Sequence, residues 1–120
     1  MVYSTYSYLL ALLKKEIDYQ TIPGITSFCS MAFELGQSLT MDEESLAIIP
    51  ATASAEKIEA ALELHDSIVI MKVANHLDTV LPLLEKLGLL QQTFMVSNSP
   101  TDKQQTLLGL PRRKCIHPWG

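Results

Sequence analysis

Four short stretches of this 120-residue chain hold residue types that could bind or orient a polar ligand: Tyr3 to Thr5, the turn from Ile22 to Phe28, the turn from Pro50 to Ser54, and Met71-Lys72. The second is the most informative. The preceding run Tyr19-Gln20-Thr21-Ile22 has the β-branched and aromatic character of a short strand, and Pro23-Gly24 then stops a ladder and supplies a permissive backbone position. A helix that starts after this turn, capped by Thr26 or Ser27, points free backbone N–H groups outward from a strand end. Open α/β folds bind ligands at such junctions, where the helix N-terminus also favours negative charge.

Other chemistries find less support. No serine stands in a Gly-x-Ser-x-Gly elbow, and neither Cys29 nor Cys115 has a histidine and an acid set up by local spacing, so hydrolytic catalysis does not fit. His65, His76, His117 and Cys115 match no compact metal-ligand motif. Gly-rich phosphate loops of the P-loop or dinucleotide type are missing from the sequence. Each of the four stretches also has a plain structural explanation when taken alone: Ser4 and Thr5 as helix caps, Pro23-Gly24 as a turn, Lys72 as a solvated strand end. Together they read differently, because strand-to-helix junctions on one sheet edge converge on one crevice.

The elements that must position these residues follow from periodicity. Tyr6, Leu9, Leu10, Leu13 and Ile17 repeat at helical spacing, with Lys14, Lys15 and Glu16 off that face. Phe28, Met31, Ala32 and Leu35 continue the same period after the turn, and Gly36 is placed to end that helix. A loop follows whose acids Asp42-Glu43-Glu44 read as a solvated rim. Leu46-Ala47-Ile48-Ile49-Pro50 suits a buried strand ended by proline, and Thr52 or Ser54 can cap a helix over Ala55–Leu64 with Ile58, Ala61 and Leu62 inward. The unbroken β-branched run over residues 67–73 belongs in the middle of a sheet. A helix over 76–87 buries Leu77, Val80, Leu81, Leu84 and Leu87, carries Pro82 inside its pattern with a kink or shortened first turn expected there, and stops at Gly88. A further strand is expected at Thr93-Phe94-Met95-Val96. Gln104 to Pro111 could begin a helix, and from Arg112 onward no period is visible, so 103–120 is expected to be a divergent, poorly ordered tail.

Composition limits the function classes. With 48% hydrophobic and 18% charged residues the chain is one ordinary domain with a real core, not a disordered one. Apolar runs fall far short of a membrane span, and no signal-peptide pattern opens the chain, which predicts a soluble protein. A net charge of −4 argues against nucleic acid as a partner, and the short basic cluster Arg112-Arg113-Lys114 reads as a solvated end. Cys29 on an apolar helical pattern and Cys115 in the tail resemble no disulfide framework and fit a reducing cytoplasm.

Tyr3-Ser4-Thr5-Tyr6, then Ile22-Pro23-Gly24-Ile25-Thr26-Ser27-Phe28, then Ile48-Ile49-Pro50-Ala51-Thr52, then Val69-Ile70-Met71-Lys72 resemble, in that order, the C-terminal half of the tetrapyrrole methylases. Within that family they are most similar to the branch acting at C20 of precorrin-2, or of its cobalt-containing counterpart, in cobalamin biosynthesis. Pro-Gly-Ile-Thr-Ser alone is shared by several branches; the ordered set is more specific. The resemblance implies an α/β domain over 1–102, with a mixed sheet of about four to five strands and helices on both faces. It implies S-adenosylmethionine as cofactor, with Ser4, Thr5, Thr26, Ser27, Phe28 and Met71 on the cofactor side. Tyr3 and Lys72 fall on the side of the tetrapyrrole substrate. The Gly-rich N-terminal domain that forms the other wall of the cleft has no counterpart in these residues, so the expectation is a truncated methyltransferase, inactive alone, or a non-catalytic oligomerisation or binding module derived from one. Sheet edges left unpaired predict a homodimer.

Overall fold

β2, Ser67–Met71, is buried along its whole length and has a core on each side. The structure, a computed structural model, describes residues 4–13, 17–97, 105–108 and 114–117. Successive residues of a strand point to opposite faces. Ile68 and Ile70 accordingly pack with Ile58 and Leu62 of α3 (Ala55–Leu64) and with Val80 and Leu84 of α4 (Leu77–Lys86). Val69 and Met71 pack the other way, against Phe28 and Met31 of α2 (Ser27–Glu34). The result is an α/β fold with helices on both faces of the sheet.

The strands hydrogen-bond in the order β1-β2-β5-β3-β4, where β1 is Leu46–Pro50, β3 is Thr93–Ser97, β4 is Gln105–Leu108 and β5 is Lys114–His117. β1, β2, β5 and β3 are mutually parallel, and β4 runs antiparallel to β3, so the sheet is mixed. Its register sets Pro50 opposite Met71 and Met71 opposite His117. These three residues therefore mark one edge, the carboxyl edge of the parallel strands.

Local signals explain the element ends. Ser54 caps α3 by accepting the Lys57 N–H at 3.3 Å. α2 and α4 each close in a Schellman arrangement. In α2, Gln37 N–H donates to Ala32 O and Gly36 N–H to Phe33 O; in α4, Leu89 N–H donates to Leu84 O and Gly88 N–H to Glu85 O. Gly36 and Gly88 take φ of +63° and +68°, the left-handed conformation these caps need. α4 spans Leu77–Lys86 with Pro82 inside it, so the helix continues past the proline. A single 3-10 turn, Leu90–Gln92, then leads into β3, with Thr93 Oγ1 donating to Leu89 O at 2.8 Å.

Several expectations are corrected. Tyr19-Gln20-Thr21-Ile22 pairs with no strand among the described residues; it is exposed, and a hydrogen bond of 2.7 Å joins Thr21 Oγ1 and the Tyr6 hydroxyl of α1 (Ser4–Leu13). β-branched composition alone does not make a strand without a neighbour to complete its ladder. β1 is an edge strand, with Ile48 42% exposed, and not the buried strand its apolar run suggested. β2 is interior as expected, but β5 takes the central position. The stretch expected to be a poorly ordered tail contributes β4 and β5, while 98–104, 109–113 and 118–120 lie outside the described residues. Cys29, read as lying on an apolar face, is an exposed free thiol. No helix among the described residues is long and apolar enough to cross a membrane.

Candidate functional site

Three junctions meet at the carboxyl edge of the parallel strands. After β1 the chain turns through Pro50, Ala51 and Thr52. Ala51, 2% exposed, donates its N–H to Met71 O at 2.7 Å and so ties this turn to the end of β2. Lys72 then adopts φ +61°, a left-handed conformation that costs a residue with a Cβ about 1–2 kcal/mol. Such backbone strain is held in place only where the surroundings impose it, here by the buried residues Met71 and Val73 on either side.

The third junction is the start of α2. Leu39, beyond the far end of this helix, lines a small recess with Leu46, Ser67 and Phe94, which stand at or near the amino ends of β1, β2 and β3. α2 therefore runs opposite to the parallel strands, and Thr26 and Ser27 lie toward the carboxyl edge. Thr26 occupies the N-cap position with extended backbone (φ −69°, ψ 150°), and its carbonyl accepts the N–H groups of Cys29 and Ser30 at 3.1 and 3.0 Å. Its side chain makes no capping bond. Thr26 Oγ1 is instead buried without a hydrogen-bond partner among the described residues, which is costly for a hydroxyl. The first turns of α3 and α4 carry Glu56 and Asp78, whereas α2 starts with no acidic residue, so its positive dipole end is not offset by its own side chains.

The residues singled out from the sequence are placed as follows. Ser4 and Thr5 open α1, and Tyr3 lies outside the described residues. Thr26 and Ser27 are half-buried at the start of α2. Phe28 (4% exposed) and Met71 (8%) pack in one apolar cluster with Met31, Val69 and Val96. Lys72 is exposed beside them at the strand end. Phe28 and Met71 are thus brought together, with Thr26 two residues before Phe28 and Lys72 directly after Met71 in the chain. Two features escaped the sequence reading. The Ala51–Met71 tie depends on β1 and β2 being parallel neighbours, and His117 shares Met71's register only because β5 inserts beside β2. No local pattern announces either.

Two recesses lie at the opposite, amino-terminal edge: the one beside Ser67, of about 10 Å³, and a broad open concavity formed by Met41, Asp42, Glu43, Glu44 and Asp66. The first has room for about one water molecule. In the second, Asp66 is engaged by Ser45, whose N–H and hydroxyl lie 2.9 and 3.2 Å from Asp66 Oδ2, and Glu44 Oε1 accepts the Met41 N–H at 3.1 Å. Among the described residues no three histidine, cysteine or acidic side chains are grouped to hold a metal ion.

The pattern that defines the Tetrapyrrole (Corrin/Porphyrin) Methylases matches residues 1–111. The chain belongs to the tetrapyrrole methylase family. Among its relatives is the Cobalt-precorrin-2 C(20)-methyltransferase of Salmonella typhimurium, 34% identical over 105 residues that cover 88% of this chain and 44% of the relative. Another is the Cobalamin biosynthesis protein CobIJ of Mycobacterium tuberculosis, 25% identical over 107 residues, 89% of this chain and 21% of the relative. The chain thus spans less than half the length of the curated family members it matches. No solved structure matches it.

Proposed function

We propose that this chain forms one wall of an S-adenosylmethionine cleft in a methyltransferase acting at C20 of precorrin-2 or its cobalt-containing counterpart, in cytoplasmic cobalamin biosynthesis. The observation that carries this reading is the meeting, at one sheet edge, of the buried Thr26 hydroxyl, the Phe28–Met71 apolar cluster and the strained Lys72. The 34% identity to a cobalt-precorrin-2 C20-methyltransferase supports it. The residues fit the cofactor: a polar amino-acid group suits a hydroxyl that lacks a partner, and a flat adenine suits an apolar cluster. The cofactor supplies an electrophilic methyl group on its sulfonium.

In this reading Ser4, Thr5, Thr26 and Ser27 hold the polar part of the cofactor, and Phe28 and Met71 border the adenine. Lys72 and Tyr3 face the substrate, with the ammonium of Lys72 pairing a carboxylate side chain of the macrocycle. The protein's task is alignment and exclusion of water, since no strong acid or base is required to transfer a methyl group to a nucleophilic carbon. The sheet corresponds to that of the family's C-terminal domain, and its outer strands β1 and β4 pair two copies into a homodimer. Alone, the chain is expected to turn over no substrate, because the opposite wall of the cleft is not among these residues.

Calorimetry with S-adenosylmethionine and S-adenosylhomocysteine tests the half-site. Saturable heat that disappears in Thr26→Ala and Ser4→Ala is the expected result; silence at millimolar ligand would remove cofactor binding from this chain. The 44% coverage of the Salmonella relative favours one further reading, a non-catalytic binding module derived from such an enzyme. That silence, together with an intact fold, would select it.

A further inference from the structure

Among the described residues, Thr26 Oγ1 and Ser67 Oγ are enclosed without a hydrogen-bond partner. Thr26 belongs to the carboxyl edge; Ser67 stands at the opposite end of the sheet and has no place in the methyl-donor reading. It opens β2, is 3% exposed, and its N–H is already given to Ser45 O at 3.0 Å. The polar groups beside it are engaged with one another. Asp66 Oδ2 accepts the Ser45 N–H and hydroxyl at 2.9 and 3.2 Å, and the Asp66 N–H donates to Ser45 Oγ at 3.2 Å. What remains is one buried hydroxyl with a proton to give and lone pairs to fill. Sealed away unpaired, such a group lowers a folding equilibrium constant by about fivefold or more.

We propose that Ser67 Oγ and the recess beside it form a binding site for a single internal water, which joins the start of β2 to the loop after α2. The recess measures about 10 Å³, the room of one water molecule and too little for an organic ligand. Leu39, Leu46 and Phe94 wall it with apolar side chains, and none of its described lining residues is charged, so it offers nothing to hold an ion. Gln37 and Ser38 bring further polar groups to it from the loop. An internal water needs two to four polar partners. Ser67 supplies the buried one and the loop supplies the rest. The Gln37 N–H is the one that closes α2 on Ala32 O, so the water fastens the end of that helix to the sheet. This site stands whether or not the carboxyl edge binds S-adenosylmethionine.

Oxygen-17 relaxation dispersion on the full chain tests this, because it reads long-lived waters without interference from exchanging hydroxyl protons. The parent chain is expected to hold one more such water than Ser67→Val, whose added methyl fills the recess, and one more than Ser67→Ala, which removes the buried partner. Urea unfolding of Ser67→Ala gives an independent readout. With the hydroxyl satisfied by water, the substitution breaks a hydrogen bond and lowers the folding equilibrium constant by about threefold; with the hydroxyl unpaired, the same substitution raises it. Equal dispersion in the parent chain and the folded variants would overturn the proposal, and so would a rise in the equilibrium constant for Ser67→Ala. Should Ser67→Val fail to fold, Ser67→Ala carries both readings. Neither measurement involves added cofactor, so failure of the methyl-donor site and failure of the water site are told apart.

Discussion

Two helices, α3 and α4, cover one face of the sheet, whereas a single helix of eight residues, α2, covers the other. A helix with its side chains is about 10 Å wide and strands lie about 4.8 Å apart, so one helix shields roughly two strands and two helices shield roughly four. The consequence is visible residue by residue. On the α3/α4 face Ile58, Val80 and Leu84 are fully buried; on the α2 side Ile48 is 42% exposed and Phe33, on the outward surface of α2, 86%. The sealed face supplies stability. The thinly covered face leaves apolar side chains of β1 and α2 open.

Mutations can break this contrast. Leu84→Ala, which opens a cavity where the side chain is fully enclosed, is expected to cost about 2–5 kcal/mol in urea unfolding. A cost below 1 kcal/mol would show that the α3/α4 face is not the main core. Next in size, Lys72→Gly relieves the left-handed strain but adds chain entropy, for a net gain of about 0.5–1 kcal/mol measured the same way. Destabilisation would mean that the Lys72 side chain has a structural partner. Phe33→Ser is expected to change stability by no more than about 0.5 kcal/mol, and a loss comparable to Leu84→Ala would erase the distinction between the faces.

The smallest effect belongs to the Lys86–Glu59 pair, 2.7 Å apart, which joins α4 to α3 on the rim of the sealed face. The hydrogen bond from Lys86 to Glu59, and then the Glu59 charge, raise the Lys86 pKa above its ordinary 10.5. A raised lysine pKa contributes stability that is complete below the ordinary value and is lost as pH rises through the folded-state value. Glu59→Gln is therefore expected to leave the thermal midpoint nearly unchanged at neutral pH, because the Lys86 side chain is 65% exposed and its charge is screened by solvent. Whatever small difference from the parent chain exists should vanish as pH rises through the raised folded-state value. A difference that grew with pH would contradict this sign.

Where local chemistry and tertiary context agree, the sequence is legible. α3 starts after Ser54 because a serine there can cap it, and Gly36 and Gly88 end their helices because only glycine adopts the required φ cheaply. β2 reads as interior because every residue from Ile68 to Met71 is apolar. Legibility fails where a partner distant in sequence decides. Lys114-Cys115-Ile116-His117 has no strand-like alternation and becomes β5 because β2 and β3 leave a slot for it, whereas Tyr19-Gln20-Thr21-Ile22 has strand composition and no slot. At the site, the start of α2 and the oddity of Lys72 could be anticipated from turn chemistry. The buried, unpartnered Thr26 hydroxyl could not, because a threonine at that position is normally read as the cap.

The place of β5 has a consequence for biosynthesis. β1-β2 and β3-β4 are joined by backbone hydrogen bonds only through β5, which follows all of them in the chain. A nascent chain leaving the ribosome therefore carries two separate half-sheets, each with an unpaired strand beside the gap, until β5 has been made and inserted. Translation of that last strand, and not of the helices, sets the moment at which the domain closes, and a stall before Lys114 would leave two adhesive edges exposed together.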